Sequence, residues 1–360
     1  MADITIYLNA STGNDANDGL TTGNPKQTFN GVTGALSVLP NPVEGIYTIK
    51  LQGVSGATND WTSLDDEIVL DGLVPDEGSD ELAAFVDTAI IIEPENWSQS
   101  QYENNQSPIN AAGADFDPEQ DRYNTIPPIS ADKCNVEIKV RGVKIAPSAT
   151  VDEEGVDFEG VRAEFDYCEI TGFSFGVKHV TASMDIRNCH IHDNSGVGIF
   201  SLFGLMKIAG DNFIADNYYA GILASGSDIF IQPFEDNPEL QFTTTIQTSK
   251  ALKKYAAIRL NLGAKVSVGR HHPFIPADLA LLTGESGAAA EAQLRILNNN
   301  AYRSPNYYGV QLESVSTFIG TANTSFTKTV TSGSGVGLDT TVEPAQQFVT
   351  NEGDGCQLLK

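Results

Sequence analysis

The stretch from residue 165 to residue 223 decides the fold, because it repeats itself. Its three lines read FDYCEITG at 165–172, IRNCHIHDN at 186–194 and IAGDNFIADN at 208–217, and each is followed by a closing glycine, Gly176, Gly198 or Gly221. The closing glycines are 22 and 23 residues apart (198 − 176 and 221 − 198). A repeat of that length is too short for a strand plus a helix, so each line must hold short strands.

Apolar and polar residues alternate within each line, and Asn, Asp or Gly stand at its ends. Period-two alternation predicts half-buried strands, and the polar residues predict tight turns. The pattern therefore predicts an all-β solenoid, a parallel β-helix in which each strand bonds to its copy one turn later. Rungs about 4.8 Å apart would stack Cys168 below Cys189, and Ile170 below Ile191 and Phe213.

Weaker copies of the cadence lie on both sides of the repeat, upstream at 46–51, 89–93 and 136–141 and downstream at 257–260, 309–312 and 335–338. Spacing beyond about 22 residues must leave the coil as loops. We expect an N-terminal cap over 1–40 and a β-helix over 41–360, with insertions at about 58–133, 232–254 and 271–291. The first of these is either an acidic excursion or a set of irregular rungs.

Residues 6–36 suit a plug for the open end of such a coil. They hold a strand with Tyr7, then Gly13-Asn14-Asp15, Asn17-Asp18-Gly19-Leu20 and Pro25-Lys26-Gln27-Thr28. This pattern resembles the N-terminal cap of pectate-lyase-like right-handed β-helix proteins. The resemblance covers about thirty residues and implies a single-stranded right-handed coil closed by a capping strand and helix. It leaves function open, since the family includes lyases, hydrolases, epimerases and phage tailspikes.

The charge of the chain limits its partners. It carries 21 basic and 47 acidic residues, a formal net charge of −26. Nucleic acids and anionic membranes would be repelled at long range, so neither is an expected partner. No apolar run is long enough to insert into a membrane, and the N-terminus does not read as a secretion signal. The cysteines, Cys134, Cys168, Cys189 and Cys356, are too scattered for a metal site and are expected to be buried thiols. No cofactor or metal is predicted.

Asp193 and Asp216 are the candidate catalytic residues, because each stands five residues before its closing glycine. Stacked carboxylates one rung apart would suit an acid and base pair. Each is followed by an asparagine, Asn194 or Asn217, and an Asp-Asn corner is also ordinary turn chemistry. His190 and His192 would share one face of a strand, either as two metal ligands or as a surface pair.

Aromatic pairs precede two of the glycine positions and are candidates for stacking on sugar rings. The glycan-contact candidates are Tyr218, Tyr219, Tyr307, Tyr308 and Arg259. Packing in a core or a subunit interface is the alternative for the tyrosines.

The resemblance, together with an N-terminus that does not read as a secretion signal, implies a phage virion structural protein: a homotrimeric β-helical tailspike, fibre or capsid-decorating spike that contacts host-surface glycan or stabilises the particle. Its partners would be other virion proteins and host-surface polysaccharide, and its location the virion, extracellular after release. The outward column through Phe200 and Leu223 would form the trimer contact. The alternative is a polysaccharide lyase or glycoside hydrolase of the same fold.

Overall fold

The computed structural model describes residues 3–53, 59–75, 88–95, 97, 124–148, 153–210, 212–232, 243–247, 258–262, 264–268, 293–298, 310–313, 317–319, 324–331, 338–342, 349–352 and 357–359. Its contacts divide the chain into two compact units, Met1–Met184 and Asp185–Lys360. The structure of these residues is nearly all β, and the strands belong to three sheets that the chain visits in turn.

Sheet I contains β1 (Ile4–Leu8), β2 (Ile46–Leu51), β5 (Ala89–Pro94), β8 (Glu137–Arg141), β11 (Arg162–Asp166), β14 (Ser183–Arg187), β17 (Leu205–Ala209), β20 (Asp228–Gln232), β23 (Lys265–Val268), β26 (Thr317–Ile319) and β30 (Gln357–Leu359). Sheet II contains β3 (Asn59–Asp60), β6 (Asn124–Ile126), β9 (Lys144–Ile145), β12 (Glu169–Thr171), β15 (His190–His192), β18 (Phe213–Ala215), β21 (Thr243–Gln247), β24 (Gln293–Asn298), β27 (Thr324–Thr331) and β28 (Leu338–Val342). Sheet III contains β4 (Ile68–Val69), β7 (Ile129–Asp132), β10 (Glu154–Glu159), β13 (Phe175–Val180), β16 (Val197–Leu202), β19 (Ala220–Ser225), β22 (Ile258–Asn261), β25 (Val310–Glu313) and β29 (Val349–Glu352).

Parallel pairing of each strand with its copy one turn later makes each unit a piece of right-handed parallel β-helix, as the sequence predicts. In the first unit β1, β2, β5, β8 and β11 are successive neighbours in sheet I. In the second unit β16, β19, β22, β25 and β29 are successive neighbours in sheet III. Among the described strands, the β27–β28 pair is antiparallel.

The core of each unit is built from columns of inward side chains in register. In the first unit the register aligns Ile6, Ile49, Ile92, Val140 and Phe165, all fully buried. In the second it aligns the fully buried Ile199, Ile222 and Ile258. Burying a side chain of this size is worth roughly 1.5–3 kcal/mol, so these columns hold the rungs together.

The corners between sheets use left-handed backbone, one residue at a time. Sheet I strands are followed by Gly142, Tyr167, Asn188 and Gly210, and sheet II strands by Gly172, Asp193 and Asp216. Sheet III strands are followed by Gly72, Lys133, Gly160, Thr181, Phe203, Gly226 and Leu262. At each of these corners one residue with positive φ turns the chain out of one sheet and toward the next. This conformation costs a non-glycine residue roughly 1–2 kcal/mol.

The N-terminal cap explains the motif in residues 6–36. Asp15 accepts hydrogen bonds from the backbone N–H groups of Gln27 and Thr28 at 2.8 and 2.9 Å and from the Thr28 hydroxyl at 2.7 Å. The buried Lys26 ammonium donates to the carbonyl oxygens of Asp15, Asn17 and Thr33 at 3.2, 2.8 and 2.7 Å. The Asp and the Pro-x-x-Thr segment are therefore two halves of one hydrogen-bonded plug.

A buried carboxylate and an indole attach this plug to the first rung. Asp65 accepts from the backbone N–H groups of Phe29 and Asn30 at 2.9 and 3.1 Å. Burial raises the pKa of Asp65, and those two N–H groups act in the opposite direction. The Trp61 indole packs edge-on against Phe29, with ring centroids 5.8 Å apart. The expected capping helix is one short 3-10 turn, Ala35–Val38, because Gly31, with a φ of 86°, interrupts the run before it.

The predicted rungs at 46–51, 89–93 and 136–141 are confirmed as β2, β5 and β8, and the rungs at 257–260 and 309–312 as β22 and β25. Of the rung predicted at 335–338, residues 335–337 lie outside the described residues. Leu338 opens β28 of sheet II, and the sheet III strand that follows β25 is β29, with Val349 opposite Val310. The stack of Ile191 on Phe213 is wrong by one residue. Ile191 aligns with Ile214, and Phe213 faces outward opposite His190.

The predicted insertions are covered in part. The range 58–133 holds β3 to β7, with 76–87 and 98–123 outside the described residues. The range 232–254 holds β21, and 271–291 lies outside the described residues altogether. The described cysteines, Cys134, Cys168 and Cys189, are buried free thiols as expected, and burial raises the pKa of Cys134. Cys356 lies outside the described residues.

Candidate functional site

The two candidate aspartates occupy equivalent corners on neighbouring rungs of the second unit. Asp193 follows β15 with a φ of 52°, and Asp216 follows β18 with a φ of 53°. The register His192 to Ala215 places the two corners one rung apart. Asp and Asn tolerate this backbone better than most residues, because their short polar side chains bond locally.

A ladder of buried asparagines fixes that corner from within. Asn194 donates from its backbone N–H and its side-chain amide to the Asn217 carbonyl oxygen, Oδ1, at 3.2 and 2.8 Å. The Asn217 amide donates in turn to the backbone oxygen of Ile191 at 3.0 Å. Both asparagines are almost completely buried. In each Asp-Asn pair the buried asparagine therefore fixes the backbone of the corner, and the aspartate side chain lies outside the core.

The carboxylates point toward solvent. The Asp193 side chain is 69% exposed, and its Oδ2 lies 2.7 Å from Nδ1 of His192. Asp216 is half-exposed. Both groups can therefore reach a ligand that lies along the corner.

Aromatic rings flank the same carboxylates on the outer face of sheet II. The rings of His190 and His192 stack with centroids 3.9 Å apart, and the Phe213 ring lies 5.0 Å from His190. Phe213 is 38% exposed. The sequence pattern predicted Phe213 in the core, stacked on Ile191. Its exposed position could have been found by aligning Phe213-Ile214-Ala215 with His190-Ile191-His192, since both middle residues are isoleucine.

The predicted tyrosine pair stands on the other side of the corner. Tyr218 and Tyr219 pack edge to face, with centroids 5.1 Å apart. The Tyr219 backbone N–H donates to the oxygen of Gly196 at 2.7 Å, which binds the turn to the rung before it. Tyr219 is 44% exposed and Tyr218 half-exposed. We call this surface the aromatic corner, defined by His190, His192, Asp193, Phe213, Asp216, Tyr218 and Tyr219.

The remaining glycan candidates are not joined to this surface by described contacts. Arg259 belongs to β22, and its backbone aligns with Leu223 and Gln311. The Arg259 side chain, Tyr307 and Tyr308 lie outside the described residues. Phe200 aligns with Leu223 in the same column, and both are half-buried.

A row of alternating charges on the outer face of sheet I escaped sequence reasoning. Lys50 pairs with Glu93 at 2.6 Å, and the Arg141 guanidinium lies 3.3 Å from both Glu93 and Glu164. Glu93, Arg141 and Glu164 are each less than 10% exposed. Period-two alternation within β2, β5, β8 and β11 would place these side chains on the outer face of the sheet. Their burial depends on tertiary contacts, which the alternation does not predict. Because Glu93, Arg141 and Glu164 are buried and ion-paired, this row does not present charge to a ligand, and removing one partner would leave a buried charge uncompensated.

The described part of the chain has neither a metal-binding cluster nor a membrane-spanning helix. Within it, no group of three His, Cys, Asp or Glu side chains is arranged to hold a metal ion. No helix in the same residues is long and apolar enough to cross a membrane.

Comparison with known proteins adds little to this geometry. No protein-family model matches the chain, and no curated protein matches it. Among solved structures, the chain is similar to the crystal structure of a GH136 lacto-N-biosidase from Eubacterium ramulus, with 8% identity over 99% of this chain and 68% of the other. The TM-score is 0.28, which is too low to carry an argument about this chain.

Proposed function

We propose that this protein is a β-helical spike of the phage tailspike type that contacts surface polysaccharide through the aromatic corner. The observation that carries the proposal is the grouping of exposed rings and two carboxylates at one rigid corner. Sugar rings offer apolar C–H faces that stack on aromatic side chains, and carboxylates accept hydrogen bonds from sugar hydroxyls.

The rigidity of the corner supports this reading. Asp193 and Asp216 are attached to backbone that the Asn194–Asn217 ladder and the rung register hold in place. A preorganised surface loses little side-chain and loop entropy when it binds, so modest contacts yield useful affinity. A regular coil also repeats such contacts at a fixed spacing, which suits a polymer of sugar units.

The proposal includes a homotrimer on the phage particle, as the family resemblance implies. Apolar side chains lie along the corner after sheet III in the second unit: Phe203 is 58% exposed, Leu262 59% and Leu205 48%. Phe203 and Leu262 occupy the same corner position two rungs apart, with Gly226 between them. They form a ridge along the rung direction, which three copies with parallel axes could bury around a common axis. We propose the trimer contact on this ridge in place of the column through Phe200 and Leu223, because those two side chains are only half-exposed. Attachment to other virion proteins belongs to the same proposal.

A glycan array probed with the full chain tests the binding function. Tyr219→Ala and Phe213→Ala should each weaken binding to any glycan that scores by up to about tenfold, the size of one aromatic contact. Leu64→Ala is the matched control, because Leu64 is an exposed apolar residue of the first unit. An array without any bound glycan, or equal affinity in all four proteins, would contradict the proposal.

A second candidate function is glycan cleavage at the same corner. The two aspartates stand on adjacent rungs, and adjacent rungs are about 4.8 Å apart at the backbone. Retaining glycosidases separate their carboxyl groups by about 5–5.5 Å. New reducing ends released from a bound glycan, and lost in both Asp193→Asn and Asp216→Asn, would favour the enzyme. Binding without release favours the spike.

A further inference from the structure

We propose that the aromatic corner selects neutral glycans and rejects glycans that carry carboxylate groups, such as polyuronates and sialylated chains. This inference rests on the proposed glycan-binding function and names the chemical class of its ligand. It runs against the expectation that the resemblance to pectate-lyase-like proteins would raise, because pectate itself is a polyanion.

The first argument is the position of the fixed negative charges. Asp193 and Asp216 stand between the His190, His192 and Phe213 rings on one side and the two tyrosines on the other. A sugar chain in contact with rings on both sides must cross this pair. Charges about 4 Å apart interact by about 1 kcal/mol in water and more near a protein surface, so each carboxylate opposes a bound uronate.

The second argument is where the described cations lie. Among the described side chains of the second unit, Arg187, Lys207 and Lys265 all belong to sheet I, whereas the aromatic corner joins sheets II and III. Arg187 is paired with Asp185 at 2.9 Å. The described side chains of the corner therefore include acceptors for hydroxyl groups and neither lysine nor arginine. Along the Phe213 column the first arginine is Arg295 of β24, whose backbone lies two rungs further on.

The third argument is the charge of the whole chain. A net charge of −26 repels a polyanion before contact, and at low salt that repulsion extends over tens of ångströms. Neutral glycans are indifferent to this field. The preference for neutral over acidic glycans should therefore have two parts. One is a long-range electrostatic repulsion that salt screens, and the other is a local repulsion that depends on Asp193 and Asp216.

The experiment uses ligand pairs that differ only in charge. Binding of the full chain is measured with polygalacturonate against its methyl ester, and with sialylated against desialylated oligosaccharides from the array. It is measured at pH about 8, where histidine side chains are normally uncharged. We expect the neutral member of a pair to bind at least about tenfold more tightly at about 0.01 M salt. The ratio of the neutral to the acidic affinity should decrease at about 0.15 M salt.

Two variants separate the local from the long-range part. Asp193→Asn/Asp216→Asn keeps side chains that tolerate the left-handed backbone and should narrow the ratio at about 0.15 M salt. Glu159→Gln/Asp228→Asn removes the same charge from two exposed sites away from the corner and should leave that ratio unchanged. Equal or tighter binding of the acidic members, or equal effects of the two double variants, would overturn the inference and leave glycan binding standing. Failure to bind any glycan would instead contradict the proposed function.

Discussion

The corner after sheet III is built differently in the two units, although the backbone requirement is the same. In the first unit the left-handed position holds Gly72, Lys133, Gly160 and Thr181. In the second it holds Phe203, Gly226 and Leu262. Glycine meets the requirement without strain. Phenylalanine and leucine carry the cost of the conformation and, in addition, expose more than half of their surface.

The corner after sheet II differs in the same sense. In the first unit its left-handed position is Gly172, against which Pro147 packs so closely that a Cβ atom would lie 3.0 Å from the proline ring. In the second unit the position carries the exposed Asp193 and Asp216.

Strain at these corners is common to both units, because Lys133 and Thr181 of the first unit also take the left-handed backbone. What differs is the chemistry of the exposed side chains: in the second unit the corner after sheet III exposes Phe203 and Leu262, and the corner after sheet II exposes two carboxylates. Both proposed surfaces lie on the second unit for this reason.

Among the changes considered for these corners, loss of the asparagine ladder should have the largest effect on the free energy of unfolding. Asn217→Ala removes the acceptor of two Asn194 donors and the donor to Ile191, all in a buried site. Each buried group left unsatisfied costs about 1–3 kcal/mol, so we expect a loss of at least about 3 kcal/mol in the free energy of unfolding. Urea unfolding measures it. Asn24→Ala, at an exposed turn of the cap, is the control, and a loss below about 1 kcal/mol for Asn217→Ala would show that the ladder does not hold the corner.

His179 provides the next largest effect, and it belongs to the first unit. It lies fully buried in register with Phe158, and burial lowers its pKa from 6.5 to about 4, while a hydrogen bond with the Ala182 backbone opposes the shift. Between those values the unfolded chain binds a proton that the native chain does not. Stability should therefore fall as the pH drops through 6.5 and lose about 3 kcal/mol from this residue by pH 4.

His179→Leu isolates that contribution. The difference in unfolding free energy between wild type and variant should be constant above pH 6.5 and change by about 3 kcal/mol toward pH 4, because the carboxylates common to both proteins cancel. Chemical denaturation across that range makes the measurement. A difference independent of pH would mean that His179 titrates normally in the native protein.

The sequence predicts the coil well and the surface poorly, for one physical reason. Rung positions depend on alternation and turn residues, which are local, so β2, β5, β8, β22 and β25 could be placed in advance. At 335–338 the one described residue, Leu338, opens a strand of sheet II, whereas the cadence predicted a strand of sheet III. Local pattern does not record which of three sheets a strand joins.

The aromatic corner shows the same limit. Asp193, Asp216, Tyr218 and Tyr219 could be proposed from their distance to the closing glycines. Phe213 was placed on the wrong face, because a slip of one residue exchanges the inside and the outside of a strand, and aligning Ile214 with Ile191 corrects the slip. The charged row from Lys50 to Glu164 was missed for another reason: its members are separated by 43, 48 and 23 residues in sequence. Such contacts exist only after the rungs have stacked.

The smallest expected effect on stability concerns the apolar ridge, and it sharpens the comparison of the two units most directly. Phe203→Asn/Leu262→Asn replaces two strained residues by one that tolerates the left-handed backbone. The Phe203 ring covers Gly226, so the double variant loses some packing while it relieves strain. The free energy of unfolding of the single chain should therefore change by no more than about 1 kcal/mol.

The oligomeric state should change far more than the stability. Light scattering of the wild type is expected to give three times the chain mass of 38.5 kDa, and the double variant the mass of one chain. Val69→Asn, which removes an exposed apolar residue of the first unit, should leave the trimer intact. A wild type of single-chain mass would refute the trimer itself. A double variant that stays trimeric would place the trimer contact elsewhere. The exposure of Phe203 and Leu262, at positions where the first unit has Gly72 and Gly160, would then not be explained by subunit contact.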